Sequence, residues 1–179
     1  MSGDPEAPHR MVIVTGASRG IGAAIARLAG ARGYKVAVNY NSSPGAAAGV
    51  VRDIEAAGGR AVAVKADVGN EAEVLRLFEE ATAALGPVTA LVNNAGITGR
   101  SGRFADLPTR TLEDVMRLNV IGAALCAREA VRRMSTARGG PDGPGRGGSI
   151  VNISSIAATM GSPGEYVHYA ASKGAVESL

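Results

Sequence analysis

The chain has no tryptophan, one cysteine and two histidines among its 179 residues, and aromatic side chains make up 3% of it. With Cys126 alone there is no internal disulfide and no thiolate cluster for a metal, and at an apolar helical position it reads as a core residue. His9 and His168 are too few and too scattered for an imidazole metal site. So little aromatic surface leaves no stacking platform for nucleic acid. The net charge of +3 and the Arg-Gly-rich stretch around Arg138 and Arg146 therefore read as a solvated connection rather than a nucleic-acid surface. No run approaches the ~20 apolar residues of a membrane span, and the start, Met1-Ser-Gly-Asp-Pro-Glu, is polar and acidic rather than a signal peptide. These absences predict a cytoplasmic protein without metal, membrane or nucleic-acid partner.

What is present is 46% apolar content arranged as short β-rich runs alternating with Ala/Leu/Glu/Arg-rich stretches. The pattern predicts strands near 11–15, 35–39, 61–66, 88–93 and 149–153. Helices are expected near 20–32, 45–57, 71–85 and 112–137, and a last one from Val167. Such alternation implies an α/β fold, a doubly wound parallel sheet with helices on both faces and its ligand at the carboxyl ends of the strands. Residues 1–9 read as a disordered tail and 10–179 as one domain. The glycine-rich stretch 138–148 reads as a flexible loop.

Two patterns carry chemistry. Met11-Val-Ile-Val-Thr15 runs into Gly16-Ala-Ser-Arg-Gly20-Ile-Gly22 and then a helix. That order is strand, glycine turn, helix, in which glycines at 16, 20 and 22 let the backbone approach a pyrophosphate at the helix N-terminus. Near the other end, Tyr169 and Lys173 stand four apart on one helix face. A free phenol titrates near pH ~10, and an adjacent ammonium favours the phenolate, so Lys173 would tune Tyr169 as acid or base. Tyr166 competes for that role, but position 170 is alanine. Between these patterns, Leu112, Val115, Met116, Asn119, Gly122, Ala123 and Cys126 form one apolar helix face, on which the Asn119 amide must find a partner.

The chain resembles the classical short-chain dehydrogenase/reductases through five motifs in order. These are the Thr15 to Gly22 turn, Asp67-Val68 after the third strand, Asn93-Asn-Ala-Gly96 after the fourth, Asn119 in the long helix, and Ser154-Ser155 followed by Tyr169 to Lys173. Within the family the resemblance is to 3-oxoacyl carrier-protein reductases and glucose 1-dehydrogenase-like proteins. It implies a Rossmann-like fold, and against the family's length the chain reads as C-terminally truncated, lacking the last strands and helices.

The resemblance implies an NADP(H)-dependent oxidoreductase moving hydride between a nicotinamide and a small carbonyl or secondary alcohol. Its catalytic residues would be Asn119, Ser155, Tyr169 and Lys173. Tyr169 would protonate the alkoxide and Ser155 polarise the carbonyl, with Ser154 nearer the nicotinamide. Asn119 would hold a water that relays protons, or be a satisfied core amide. Cofactor-binding residues would be Gly16, Ser18, Arg19, Gly20, Ile21 and Gly22 of the turn, and Asn39, Tyr40, Asn41 and Ser42 at the second strand's end. Asp67 and Val68 would meet adenine, followed by Asn94, Ala95, Gly96, Tyr169 and Lys173. Asp67 also reads as an N-cap, as do Ser42 and Ser43, and Asn94 as a tie between strands. The second strand ends without a carboxylate and Arg19 could grip a 2′-phosphate, which favours NADP(H) over NAD(H). Similar full-length enzymes form dimers or tetramers, with Arg128, Arg132 and Arg133 on the expected surface. The other reading is a catalytically silent, truncated dinucleotide-binding fragment or interaction protein.

Overall fold

The structure, a computed structural model, describes residues 10–137, 139–140 and 143–179. The expected tail 1–9 and Arg138 lie outside the described residues. Five strands form one parallel sheet: β1 (Met11–Val14), β2 (Lys35–Tyr40), β3 (Arg60–Lys65), β4 (Ala90–Asn93) and β7 (Ser149–Asn152), in the order β3-β2-β1-β4-β7. Each pairing is parallel, with Ile13 opposite both Ala37 and Leu91. All five carboxyl ends therefore meet along one edge.

Helices cover both faces because the strands are apolar on both sides, as a parallel sheet requires. Val12, Val14, Val36 and Val38 join Ala23 and Ala26 of α1 (Gly20–Ala31) and Val50 and Ile54 of α2 (Pro44–Ala56) in one core. Their neighbours Met11, Ile13 and Ala37 point the other way, as the two-residue period of a strand dictates. They pack with Leu77 and Phe78 of α3 (Glu71–Leu85) and with Cys126 and Ala130 of α5 (Ala123–Met134). Cys126 is fully buried, and burial pushes its thiol up to about 12, which keeps it protonated and inert. Among the described residues no helix is long and apolar enough to cross a membrane.

Several expectations are corrected in detail. The long helix starts earlier and stops earlier than 112–137, and it is interrupted. It comprises α4 (Thr109–Met116), a π-helical segment (Arg117–Gly122) and α5. Met116 is 40% exposed, so it sits outside the apolar stripe while Val115, Asn119, Gly122, Ala123 and Cys126 are buried in it. The stretch read as a flexible loop contains a short antiparallel ladder of β5 (Gly139–Gly140) and β6 (Gly143–Pro144). A four-residue helix, α6 (Ala157–Met160), precedes α7 (Val167–Ser178) and was not anticipated. Asn70, not Asp67, caps α3, accepting from the Glu73 N–H at 3.2 Å. Ser43 occupies the N-cap of α2 without a side-chain cap bond.

The sheet's topology reverses at β1, whose neighbours β2 and β4 lead the chain in opposite directions. A crevice opens at such a point, and Thr15 closes its floor. The Thr15 hydroxyl accepts from the Asn94 and Ala95 N–H groups, both at 3.0 Å, and donates to the Val92 carbonyl at 3.3 Å. Replacing it by the isosteric apolar side chain, Thr15→Val, leaves two amide donors without their partner. The expected cost is about 1–3 kcal/mol, read as a lower urea midpoint, and an unchanged midpoint would contradict this account of the joint between β1 and β4.

Candidate functional site

A cleft of about 520 Å³ runs along the carboxyl ends of the strands. Every residue expected at the dinucleotide lines it except the last two: Gly16, Ser18, Arg19, Gly20, Ile21 and Gly22 after β1; Asn39, Tyr40, Asn41 and Ser42 at the end of β2; Asp67 and Val68 after β3; and Asn94, Ala95 and Gly96 after β4. Tyr169 and Lys173 line a smaller void of about 150 Å³, together with Ile153 and Ser154. The two spaces share Ile21, Asn94, Gly96 and Ile97 in their linings, so they lie side by side. Ser43, Ala66, Ile97 and Leu118 also line the cleft and were not anticipated.

The glycine turn owes its shape to missing side chains. Gly16 and Gly20 have φ of +62° and +56°, the left-handed region that glycine enters without strain. A Cβ at Gly16 would stand 2.9 Å from Ala95 Cα, and one at Gly22 would stand 2.7 Å from the Gly16 carbonyl oxygen. The space beside Gly22 is filled by the Asn94 amide, which donates to the Thr15 carbonyl at 2.9 Å and to the Gly16 carbonyl at 3.2 Å. Asn94 therefore ties the turn to β4, as its amide predicted.

Asn39 does the same from β2, and sequence reasoning gave it only a ligand role. Its Oδ1 accepts from the Gly16 N–H at 3.0 Å, and its Nδ2 donates to the Ala66 carbonyl at 3.0 Å. With its amide engaged on both sides and the residue only 2% exposed, Asn39 shapes the cleft floor. Arg19 is exposed at the N-cap of α1, directly beside the turn.

At the other end, Asn119 is fully satisfied. Its Oδ1 accepts from the Ile97 N–H, and its Nδ2 donates to the Ile97 carbonyl and to Ser172 Oγ, each at 2.9 Å. Ser172 in turn donates to the Tyr169 carbonyl at 2.7 Å. Asn119 thus fastens the segment after β4 to the helix that carries Tyr169 and Lys173, without itself lining either space. His168, which the sequence only excluded as a metal ligand, strengthens that fastening: its Nε2 donates to the Thr98 carbonyl at 2.8 Å.

Lys173 is 5% exposed, donates to the Ile153 carbonyl at 2.6 Å and lies 5.7 Å from the centre of the Tyr169 ring. Burial holds its ammonium below the usual value of 10.5. The two serines differ in what their hydroxyls do. Ser154 lines the void but donates to Glu177 Oε1 at 2.8 Å. Ser155 lies outside that lining, and its hydroxyl accepts from the Ala157 N–H at 3.2 Å, which leaves its own proton free to donate.

The chain belongs to the short chain dehydrogenase family, whose model matches residues 10–179. It is 46% identical over 169 residues to the uncharacterized oxidoreductase YgfF of Escherichia coli (strain K12), covering 94% of this chain and 66% of that protein. It is 40% identical over 167 residues to a 3-oxoacyl-[acyl-carrier-protein] reductase of Synechocystis sp. (strain ATCC 27184 / PCC 6803 / Kazusa), covering 93% and 64% of the two chains. Among solved structures it is similar to a short chain dehydrogenase from Burkholderia cenocepacia J2315 in complex with NADP, with a TM-score of 0.83 and 36% identity, covering 94% of this chain and 64% of that one. The chain spans about two thirds of the length of the curated relatives it matches.

The depressed Lys173 value has a consequence for stability. Between that value and 10.5 the folded chain binds fewer protons at Lys173 than the unfolded chain, so the unfolding free energy rises with pH across this window. Denaturation midpoints of the parent protein should climb relative to those of Lys173→Met as pH approaches 10.5. Parallel pH profiles would contradict a desolvated ammonium.

Proposed function

We propose that the protein is an NADP(H)-dependent oxidoreductase acting on a small carbonyl compound or secondary alcohol. The observation that carries this reading is that the cleft at the side-chain-free turn of Gly16 and Gly22 lies beside the void that holds Tyr169 and the buried Lys173. The same intact arrangement speaks against a silent fragment.

The residues present fit such a cofactor. The N–H groups at the start of α1 face a turn that a Cβ would fill, which suits a pyrophosphate. The end of β2 offers Asn39, Tyr40, Asn41 and Ser42 in place of a carboxylate, and Arg19 stands exposed nearby, which suits a 2′-phosphate. Asp67 and Val68 would hold adenine, and Lys173 the nicotinamide ribose. When bound, NADP(H) supplies or accepts the hydride at its nicotinamide ring.

The chain's own groups then manage the proton and the oxygen. The Tyr169 hydroxyl donates its proton to the oxygen of a carbonyl undergoing reduction, with the Lys173 ammonium 5.7 Å from the centre of its ring. Ser155, whose proton is free, donates a hydrogen bond to the same oxygen. Asn119 Oδ1 and Lys173 Nζ lie 3.1 and 3.7 Å from the position a Cβ of Gly96 would take. With its amide engaged by Ile97 and Ser172, Asn119 acts here as a satisfied amide that holds the Tyr169 helix in place, the alternative to a water-holding role.

In the cell we read the protein as cytoplasmic and as a homodimer or homotetramer. Ile121 of the π-helical segment and Val131 of α5, 52% and 54% exposed, give the association an apolar surface.

The test is Tyr169→Phe, assayed as NADPH oxidation with a panel of simple ketones, sugar-derived carbonyls and β-ketoacyl thioesters. The rate should fall by about a hundredfold or more. NADPH affinity, followed by nicotinamide fluorescence in a protein that has no tryptophan, should stay within about twofold. A variant that keeps the parent rate would contradict the assignment of Tyr169.

A further inference from the structure

We propose that Arg117 determines how strictly the cleft selects an adenine base, by fixing the Asp67 carboxylate from the π-helical segment. The inference rests on the dinucleotide reading above and adds to it a residue that no motif singles out.

Asp67 is held by a donor on each oxygen. The Gly69 N–H donates to Oδ1 at 2.9 Å, and Arg117 Nη1 donates to Oδ2 at 3.0 Å. Two donors on opposite oxygens fix the plane of the carboxylate, so that its remaining lone pairs face a set direction. Without Arg117, rotation about the side chain would let Asp67 turn toward water. The pair is 46% and 23% exposed, and an ion pair this accessible adds little to stability. Its consequence is orientation.

Two features aim Arg117 there. It is the first residue of the π segment, whose neighbour Leu118 lines the cleft and whose Asn119 is anchored to Ile97 and Ser172. π-helical turns of this kind recur at functional sites. The guanidinium also passes directly over Gly69, in the space that a Cβ at that position would occupy. A glycine at 69 is thus a steric condition for the contact.

A carboxylate in a fixed orientation accepts from the exocyclic amino group of adenine. Hypoxanthine carries an oxygen at that place, so the same carboxylate faces lone pairs and repels them. Selection between the two bases therefore measures the orientation directly, whereas general loosening of the cleft, or loss of the positive charge near a polyanionic ligand, weakens both dinucleotides alike.

The experiment titrates the protein with NADPH and with its hypoxanthine analogue, comparing the parent with Arg117→Met and Gly69→Ala. The second variant keeps the charge and displaces the guanidinium. The parent should prefer NADPH, and both variants should lose about tenfold of that preference. An unchanged preference, or equal weakening toward both dinucleotides, would overturn the role of Arg117 while leaving the cofactor reading intact. A folded parent protein that binds neither would overturn the cofactor reading itself, and this proposal with it.

Discussion

The site depends on how closely the turn after β1 approaches the segment after β4. Gly16 lies against Ala95, and Gly22 lies against its own turn and the Asn94 amide, at separations that admit no Cβ. Asn94 then donates two hydrogen bonds to Thr15 across this contact, from its backbone N–H and from its amide. Because the backbones meet there, the N–H groups at the start of α1 open onto a cleft instead of onto packed side chains. An alanine at 16 or 22 would add strain or a clash at the point where the sheet's topology reverses.

The second organising element is the π segment. It sends Arg117 toward Asp67 and Asn119 toward Ile97 and Ser172, and its Gly122 packs where a Cβ would stand 3.2 Å from Val68. One irregular turn thus touches the residues proposed for the adenine end and those that hold the Tyr169 helix in place. A regular α-helix would set Arg117 and Asn119 at a different angle to each other, and its buried amide would need another partner. Asn119 is satisfied because the backbone of Ile97 offers both a donor and an acceptor at the right separation.

The fold was legible because its central strands are buried on both faces, so that runs such as Met11 to Val14 and Val36 to Val38 read as apolar without alternation. The glycine turn was legible for a related reason, since only glycine supplies both positive φ and room. What could not be read is the set of contacts between residues far apart in the chain. Nothing local couples Arg117 to Asp67, His168 to Thr98 or Asn119 to Ser172. The interruption of the long helix was hidden as well, because Val115, Asn119, Gly122 and Cys126 fit an ordinary helical stripe, and only Met116, exposed at its edge, departs from it. The two serines illustrate the remaining gap: their sequence is identical, and only the partners Glu177 and Ala157 distinguish a hydroxyl already donating from one still free to donate.

The most direct test of the account is a fluorescence titration of the protein with NADPH and then with NADH. The account predicts saturable binding of both, tighter for NADPH, because Arg19 and the carboxylate-free end of β2 face the cleft beside the glycine turn. A folded protein that gives no saturable signal with either nucleotide would contradict it.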